Sequence, residues 1–148
     1  MRDSTKKDST GPRKGELDGA RLLVVDDHST NRDLLRASLA PQGAEIIDAS
    51  NGIEALRLAK EAEPDLVLMD VMMPGLDGYE TCQAMKNDAR TQDIPVLFVT
   101  AGDESADVLR GFEVGGVDYL PKPFFPGEAV ARTRNHLRLR RLHRELEE

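Results

Sequence analysis

Five short apolar runs, RLLVVD, AEIIDA, DLVLMD, IPVLFVTA and VDYL, alternate along the chain with helix-patterned stretches. Few folds are open to such a chain. Strands separated by crossover helices pair in parallel, and a parallel sheet must be covered on both faces. The runs are near-continuous rather than alternating, as strands buried on both sides require. The expected fold class is α/β, a doubly wound five-stranded parallel sheet with an extended C-terminal helix. The ligand site of such a sheet lies beyond the carboxyl ends of its strands.

The helical stretches carry their own signals. Before the first helix Ser29 reads as the N-cap, Leu34, Leu35 and Leu39 form its apolar stripe, and Gly43 stops it. Asn51 and Glu54 stand at capping-box spacing before the second. Asp77 caps the third, which buries Tyr79, Cys82 and Met85, and Gly78 eases its entry turn. Residues 1–18 mix charges with Ser, Thr, Gly and Pro and read as a disordered lead-in to a domain spanning 19–137. Residues 138–148 extend the last helix.

At 148 residues the chain is long enough for one well-buried core. No apolar run approaches the roughly 20 residues of a membrane helix, so no membrane partner is expected. The single cysteine, Cys82, excludes an internal disulfide and suits a reducing cytoplasm. Of the net charge of −7, residues 132–148 contribute +3 and the rest −10. A body that acidic is a poor phosphate binder, so nucleic acid is not an expected partner, although the basic last helix could contact it alone.

The strand ends carry the chemistry. Strand one ends in Asp26-Asp27, strand three in Asp70, strand four in Thr100, and strand five runs into Pro121-Lys122-Pro123. Singly, each has a plain structural reading: a helix cap, a ladder end, a solvated loop lysine. Together they do not, because clustered carboxylates repel unless a cation sits among them. In the flavodoxin-like order 2-1-3-4-5, strands one and three are neighbours and the three aspartates meet at the switch point. Oxygen ligands at an open mouth suit Mg²⁺ (or Mn²⁺), which keeps several waters, whereas zinc wants His or Cys. His28, the one candidate nearby, is read as a solvated loop residue. A carboxylate nucleophile, a magnesium ion and a lysine are the parts of an aspartyl-phosphate site.

With VVDD, LVLMDVMMPGLDG, VLFVTA and DYLPKPF in this order, the chain resembles the receiver domain of two-component response regulators across residues 20 to about 137. The resemblance implies that Asp70 is the phosphoacceptor. It implies a metal held by Asp27, Asp70 and the backbone carbonyl of Met72, with Asp26 acting mainly through bridging water. Lys122 would pair with the phosphoryl group, Thr100 would close on it, and Tyr119 would turn inward once the threonine moves. The Lys122–Pro123 bond would be cis, and Pro121 and Pro126 trans. The implied role is a switch and not an enzyme, catalysing only its own phosphorylation and dephosphorylation. Its phosphoryl donor would be a sensor histidine kinase or phosphotransfer protein. Its output would pass through the face formed by the fourth helix, fifth strand and last helix to a downstream domain or partner. Met72, an apolar side chain two residues past the acceptor, cannot orient an attacking water and favours a long-lived phosphoryl state.

Two rival readings remain. A haloacid-dehalogenase-like phosphatase also uses a strand-end aspartate, but it wants a second acid where Met72 stands. A constitutive interaction module would carry the acid pocket as a vestige. In the last helix, Ala129, Val130, Thr133 and Leu137 are spaced to face the sheet. Leu139, Leu142 and Leu146 repeat at coiled-coil spacing, with Asn135 at the preceding seam position. A homodimer through this helix is the expectation, a frayed tail its alternative.

Overall fold

The computed structural model describes residues 15–101 and 105–147. Its strands are β1 (Arg21–Val25), β2 (Glu45–Ala49), β3 (Leu66–Asp70), β4 (Val96–Thr100) and β5 (Asp118–Pro121). Its helices are α1 (Ser29–Leu39), α2 (Gly52–Ala62), α3 (Gly78–Lys86), α4 (Ser105–Glu113) and α5 (Pro126–Glu147). All strand pairs are parallel, in the order β2-β1-β3-β4-β5. This is the expected topology.

Successive strand residues point to opposite faces, and each face has its own core. Leu23, Val25, Val67, Met69, Val96 and Phe98 pack against Ala55 and Ala59 of α2 and Tyr79, Cys82 and Met85 of α3. Leu22, Val24, Leu66, Leu68, Leu97 and Val99 pack on the other side against Leu35 and Leu39 of α1 and Ala129 and Val130 of α5. Every residue of β3 and β4 is buried, which is why those runs show no alternation in sequence.

The local expectations divide. Asp77 caps α3 in a full reciprocal box: its carboxylate accepts the Glu80 N–H at 2.8 Å, and Glu80 accepts the Asp77 N–H at 2.9 Å. Asn51 accepts the Glu54 N–H, but Glu54 receives the N–H of Ser50 rather than that of Asn51. Ser29 does not cap α1. The extended residue before the helix is His28, with no side-chain cap, and Ser29 already lies in the first turn. Leu34 is 54% exposed, because the buried stripe runs through Leu35 and Leu39 and Leu34 sits one helix step round from it. Gly43 does end the segment, at φ +97° after a 3₁₀ turn (Ala40–Gln42).

The packed chain begins earlier than its composition implies. Leu17, counted with the lead-in, is 2% exposed in the α1–α5 core, and its N–H donates to the Gln42 carbonyl. One apolar side chain with a core position outweighs its polar surroundings. Residues 1–14 of the lead-in lie outside the described residues, as does Glu148. No helix among the described residues is long and apolar enough to cross a membrane.

Candidate phosphoacceptor site

Parallel pairing aligns the carboxyl ends of the strands. Val25 is level with Met69, so Asp26 and Asp70, each one residue further, emerge side by side. Asp70 is level with Val99 and Thr100 with Pro121, which brings Lys122 over the same edge. The Lys122 N–H donates to the Thr100 carbonyl at 2.9 Å and fixes the start of that loop. The Lys122–Pro123 bond is cis, the one cis bond among the described residues, so Pro121 and Pro126 are trans.

Asp26 and Asp70 are 1% and 6% exposed. Lys122 Nζ donates to both, at 3.1 Å to Asp26 Oδ2 and 3.2 Å to Asp70 Oδ1. Burial pushes the Asp70 carboxyl above its ordinary range. The Lys122 charge opposes this, and the neighbouring Asp26 and Asp27 charges add to it.

The remaining contacts hold the acid pair. Asp26 Oδ1 accepts the His28 N–H at 2.9 Å and Asn31 Nδ2 at 3.3 Å, while Arg32 Nη1 donates to the Asp26 carbonyl at 2.7 Å. Arg32 and Arg36 both pair with Asp48 at the end of β2. Neither Asn31 nor Arg32 was singled out in the sequence. Their signal was position, in the first turn of the helix that follows the acid pair. His28, read as solvated, has its ring Nδ1 3.2 Å from Asp27 Oδ1 and 3.6 Å from Asp26 Oδ1.

Asp26, Asp27 and His28 can bring one ligand atom each within 4.8 Å of one another. Asp70 is not in that compact group; its Oδ1 accepts from Lys122. Asp27 Oδ1 is buried and accepts no hydrogen bond. A buried carboxylate oxygen in that condition, grouped with the Asp26 carboxylate and the His28 ring and with no thiolate, fits a hard divalent cation such as Mg²⁺. The side chain of Met72 is 76% exposed at the mouth. Thr100 is buried, and the Tyr119 hydroxyl is shut off from solvent. Tyr119 borders a cavity of about 10 Å³ between β5 and α4, shared with Tyr79, Phe98 and Phe112.

Gly78 has a stricter role than easing a turn. A Cβ there would stand 2.3 Å from the Asp70 carbonyl oxygen, and the Gly78 N–H donates to the Val71 carbonyl. Only glycine lets α3 begin against the backbone that carries Asp70.

The family model for the response regulator receiver domain matches residues 22–134. Over 118 residues the chain is 42% identical to the DNA-binding dual master transcriptional regulator RpaA of Synechocystis sp. (strain ATCC 27184 / PCC 6803 / Kazusa), covering 80% of this chain and 49% of that protein. It is 42% identical over 127 residues to the response regulator PleD of Caulobacter vibrioides, covering 86% of this chain and 28% of PleD. A crystal structure described as that of a response regulator from Chloroflexus aurantiacus J-10-fl superposes with a TM-score of 0.77 at 39% identity, covering 80% of this chain and 97% of that one. The chain thus spans about half the length of RpaA and less of PleD. RpaA is a DNA-binding protein by name, which sits against the expectation of no nucleic-acid partner if that expectation is extended beyond this domain. On the match across the sheet and its strand-end aspartates, this chain belongs to the response regulator receiver domain family of two-component signalling.

Proposed function

We propose that Asp70 accepts a phosphoryl group from a phosphohistidine of a sensor histidine kinase or phosphotransfer protein, in the cytoplasm. The observation that carries this reading is the bridge from one ammonium, Lys122, to the two buried carboxylates Asp70 and Asp26. In the transfer, an Asp70 oxygen attacks phosphorus as the P–N bond to the donor imidazole breaks. The imidazole leaves with the electron pair, and the product is an acyl phosphate. Asp27, Asp70 and the Met72 carbonyl would hold Mg²⁺, with Asp26 acting through water. When bound, that ion neutralises phosphoryl oxygens and aligns them for in-line transfer.

Lys122 follows the phosphoryl oxygens as they gain charge, since its flexible stem carries a point charge with three donors. The Thr100 hydroxyl donates to the phosphoryl group, and Tyr119 packs into the space beside it. That exchange reshapes the face of α4, β5 and α5 toward a downstream domain or partner. Shifting such an equilibrium from 1:99 to 99:1 takes about 5.5 kcal/mol of differential binding, which a few charge-assisted hydrogen bonds can supply. Met72 offers no hydrogen bond to an attacking water, so the acyl phosphate is long-lived.

Labelling with a small phosphodonor in Mg²⁺ tests the reading. One stable phosphoryl group per chain supports it. Absence of label marks a constitutive module, and continuous turnover of donor marks a phosphatase.

A further inference from the structure

The last helix outruns the sheet, and its overhang forms a second concavity at the end of the domain opposite Asp70. A groove of about 560 Å³ lies between α5, the turn at 15–19 and the residues leading into β3. Five-residue strands separate it from the acid pocket by on the order of 17 Å. Arg134, Arg138, Arg140, Arg141 and Arg144 line it, with Leu137 at its base.

Two of the five arginines are anchored. Arg134 Nη1 donates to Glu16 Oε1 at 2.7 Å, and Arg140 Nη1 donates to the carbonyls of Pro64 and Asp65. Three acids share the lining with the five arginines: Glu16 pairs with Arg134, Asp65 accepts the Arg21 N–H at 2.8 Å, and Asp18 lies in the turn. Arg138, Arg141 and Arg144 are exposed and have no hydrogen-bond or ion-pair partner among the described residues. Burial, and then the Arg144 charge, pushes the Arg140 guanidinium below its ordinary range. The buried Nε of Arg134 has no acceptor. Positive charge is therefore gathered in a concavity with too few acids to balance it.

Helical spacing places Arg134, Arg138 and Arg141 on one face. The leucine seam of Leu139, Leu142 and Leu146 is centred roughly 105° round the helix from them, so seam and groove are adjacent but distinct faces. Guanidinium forks match phosphate oxygens in pairs. The groove has no aromatic side chain on which a base could stack, and the net charge of −7 opposes an extended polyanion. Its volume is that of a small-molecule site. From Arg138 to Arg144 the helix rises about 9 Å, a span that a chain of linked phosphates can bridge.

We propose that this groove binds a small oligophosphate, whose phosphate chain is held by Arg138, Arg141 and Arg144. The ligand is either a free oligophosphate or the phosphate chain of a nucleoside triphosphate.

Isothermal titration of the full chain in EDTA, with tripolyphosphate and with ATP in separate arms, tests this. The expected result is one saturable site, weakened about tenfold or more by Arg141→Gln and further by adding Arg138→Gln. Both arginines are exposed, so the melting temperature should not move. Equal affinity for the two ligands assigns recognition to the phosphate chain alone, and tighter ATP binding with the same arginine dependence assigns a nucleotide. Absence of saturation, or indifference to the arginine changes, overturns the proposal. So does weakening by Asp70→Asn, which would place the anion in the acid pocket. Tighter binding of a single-stranded oligonucleotide through the same arginines overturns it in favour of nucleic acid.

Discussion

Lys122 Nζ stands 3.2 Å from Asp70 Oδ1 while also reaching Asp26 Oδ2, so one ammonium holds together two carboxylates that are almost wholly buried. Lys122→Gln leaves those carboxylates facing each other. Breaking a buried pair costs several kcal/mol, but the lysine is about one-fifth exposed, so the expected loss is about 2 kcal/mol. Denaturant unfolding in EDTA should show it, and added Mg²⁺ should narrow the gap. A variant as stable as wild type in EDTA would contradict this.

Asp70→Asn should not destabilise the fold in metal-free buffer. Burial, ahead of the opposing Lys122 charge, raises the folded-state pKa of Asp70. A raised acid costs stability where it is ionised, above its folded pKa, and costs nothing below its unfolded value. Asparagine removes that cost at neutral pH, and the gain should fade as pH falls toward the ordinary carboxylate range. Thermal unfolding from neutral to acid pH measures it. A clear loss at neutral pH would be the contrary result.

Asp118 has the opposite sign. Burial alone would raise it, but the Tyr119 N–H, His136 and Arg132 outweigh burial and hold it below the ordinary range. The Arg132 and His136 contacts are both 2.9 Å. A depressed acid stabilises above its unfolded pKa, and that contribution is lost as pH falls through the folded value. Asp118→Asn should therefore lose about 1–2 kcal/mol at neutral pH and nothing at strongly acid pH. A pH-independent difference would show that the contacts, and not the charge, carry the effect.

The sheet order and the cluster of Asp26, Asp27, Asp70, Thr100 and Lys122 were legible in the sequence for one reason. Parallel strands converge at their carboxyl ends, so the residue after each apolar run is placed by topology alone. What lay beyond legibility depends on side-chain direction. Leu34 and Leu35 are equally apolar, yet one helix step separates solvent from core. Arg32 and Asn31 look like ordinary polar helix residues until the turn into α1 brings them against Asp26. Leu17 gave no periodic signal because it is a single apolar side chain in a polar segment. The Arg134–Arg144 groove needs the 15–19 turn as its second wall, and nothing in the helix sequence announces that wall.

Leu139, Leu142 and Leu146 are 58%, 49% and 86% exposed along the overhang of α5. Pairing this seam with a second copy would bury apolar surface worth about 25 cal/mol per Å². Light scattering should show self-association of the full chain that is lost in Leu142→Glu. A chain that stays monomeric at high concentration, with and without beryllofluoride, would leave the seam for another partner.

The central claim is that Asp70 is the phosphoacceptor. Borohydride reduction of the labelled chain converts an aspartyl phosphate to homoserine, which peptide mapping then locates. The account predicts homoserine at position 70 alone, requiring Mg²⁺ during labelling and absent from Asp70→Asn. Label on any other residue, or undiminished label in Asp70→Asn, would contradict it.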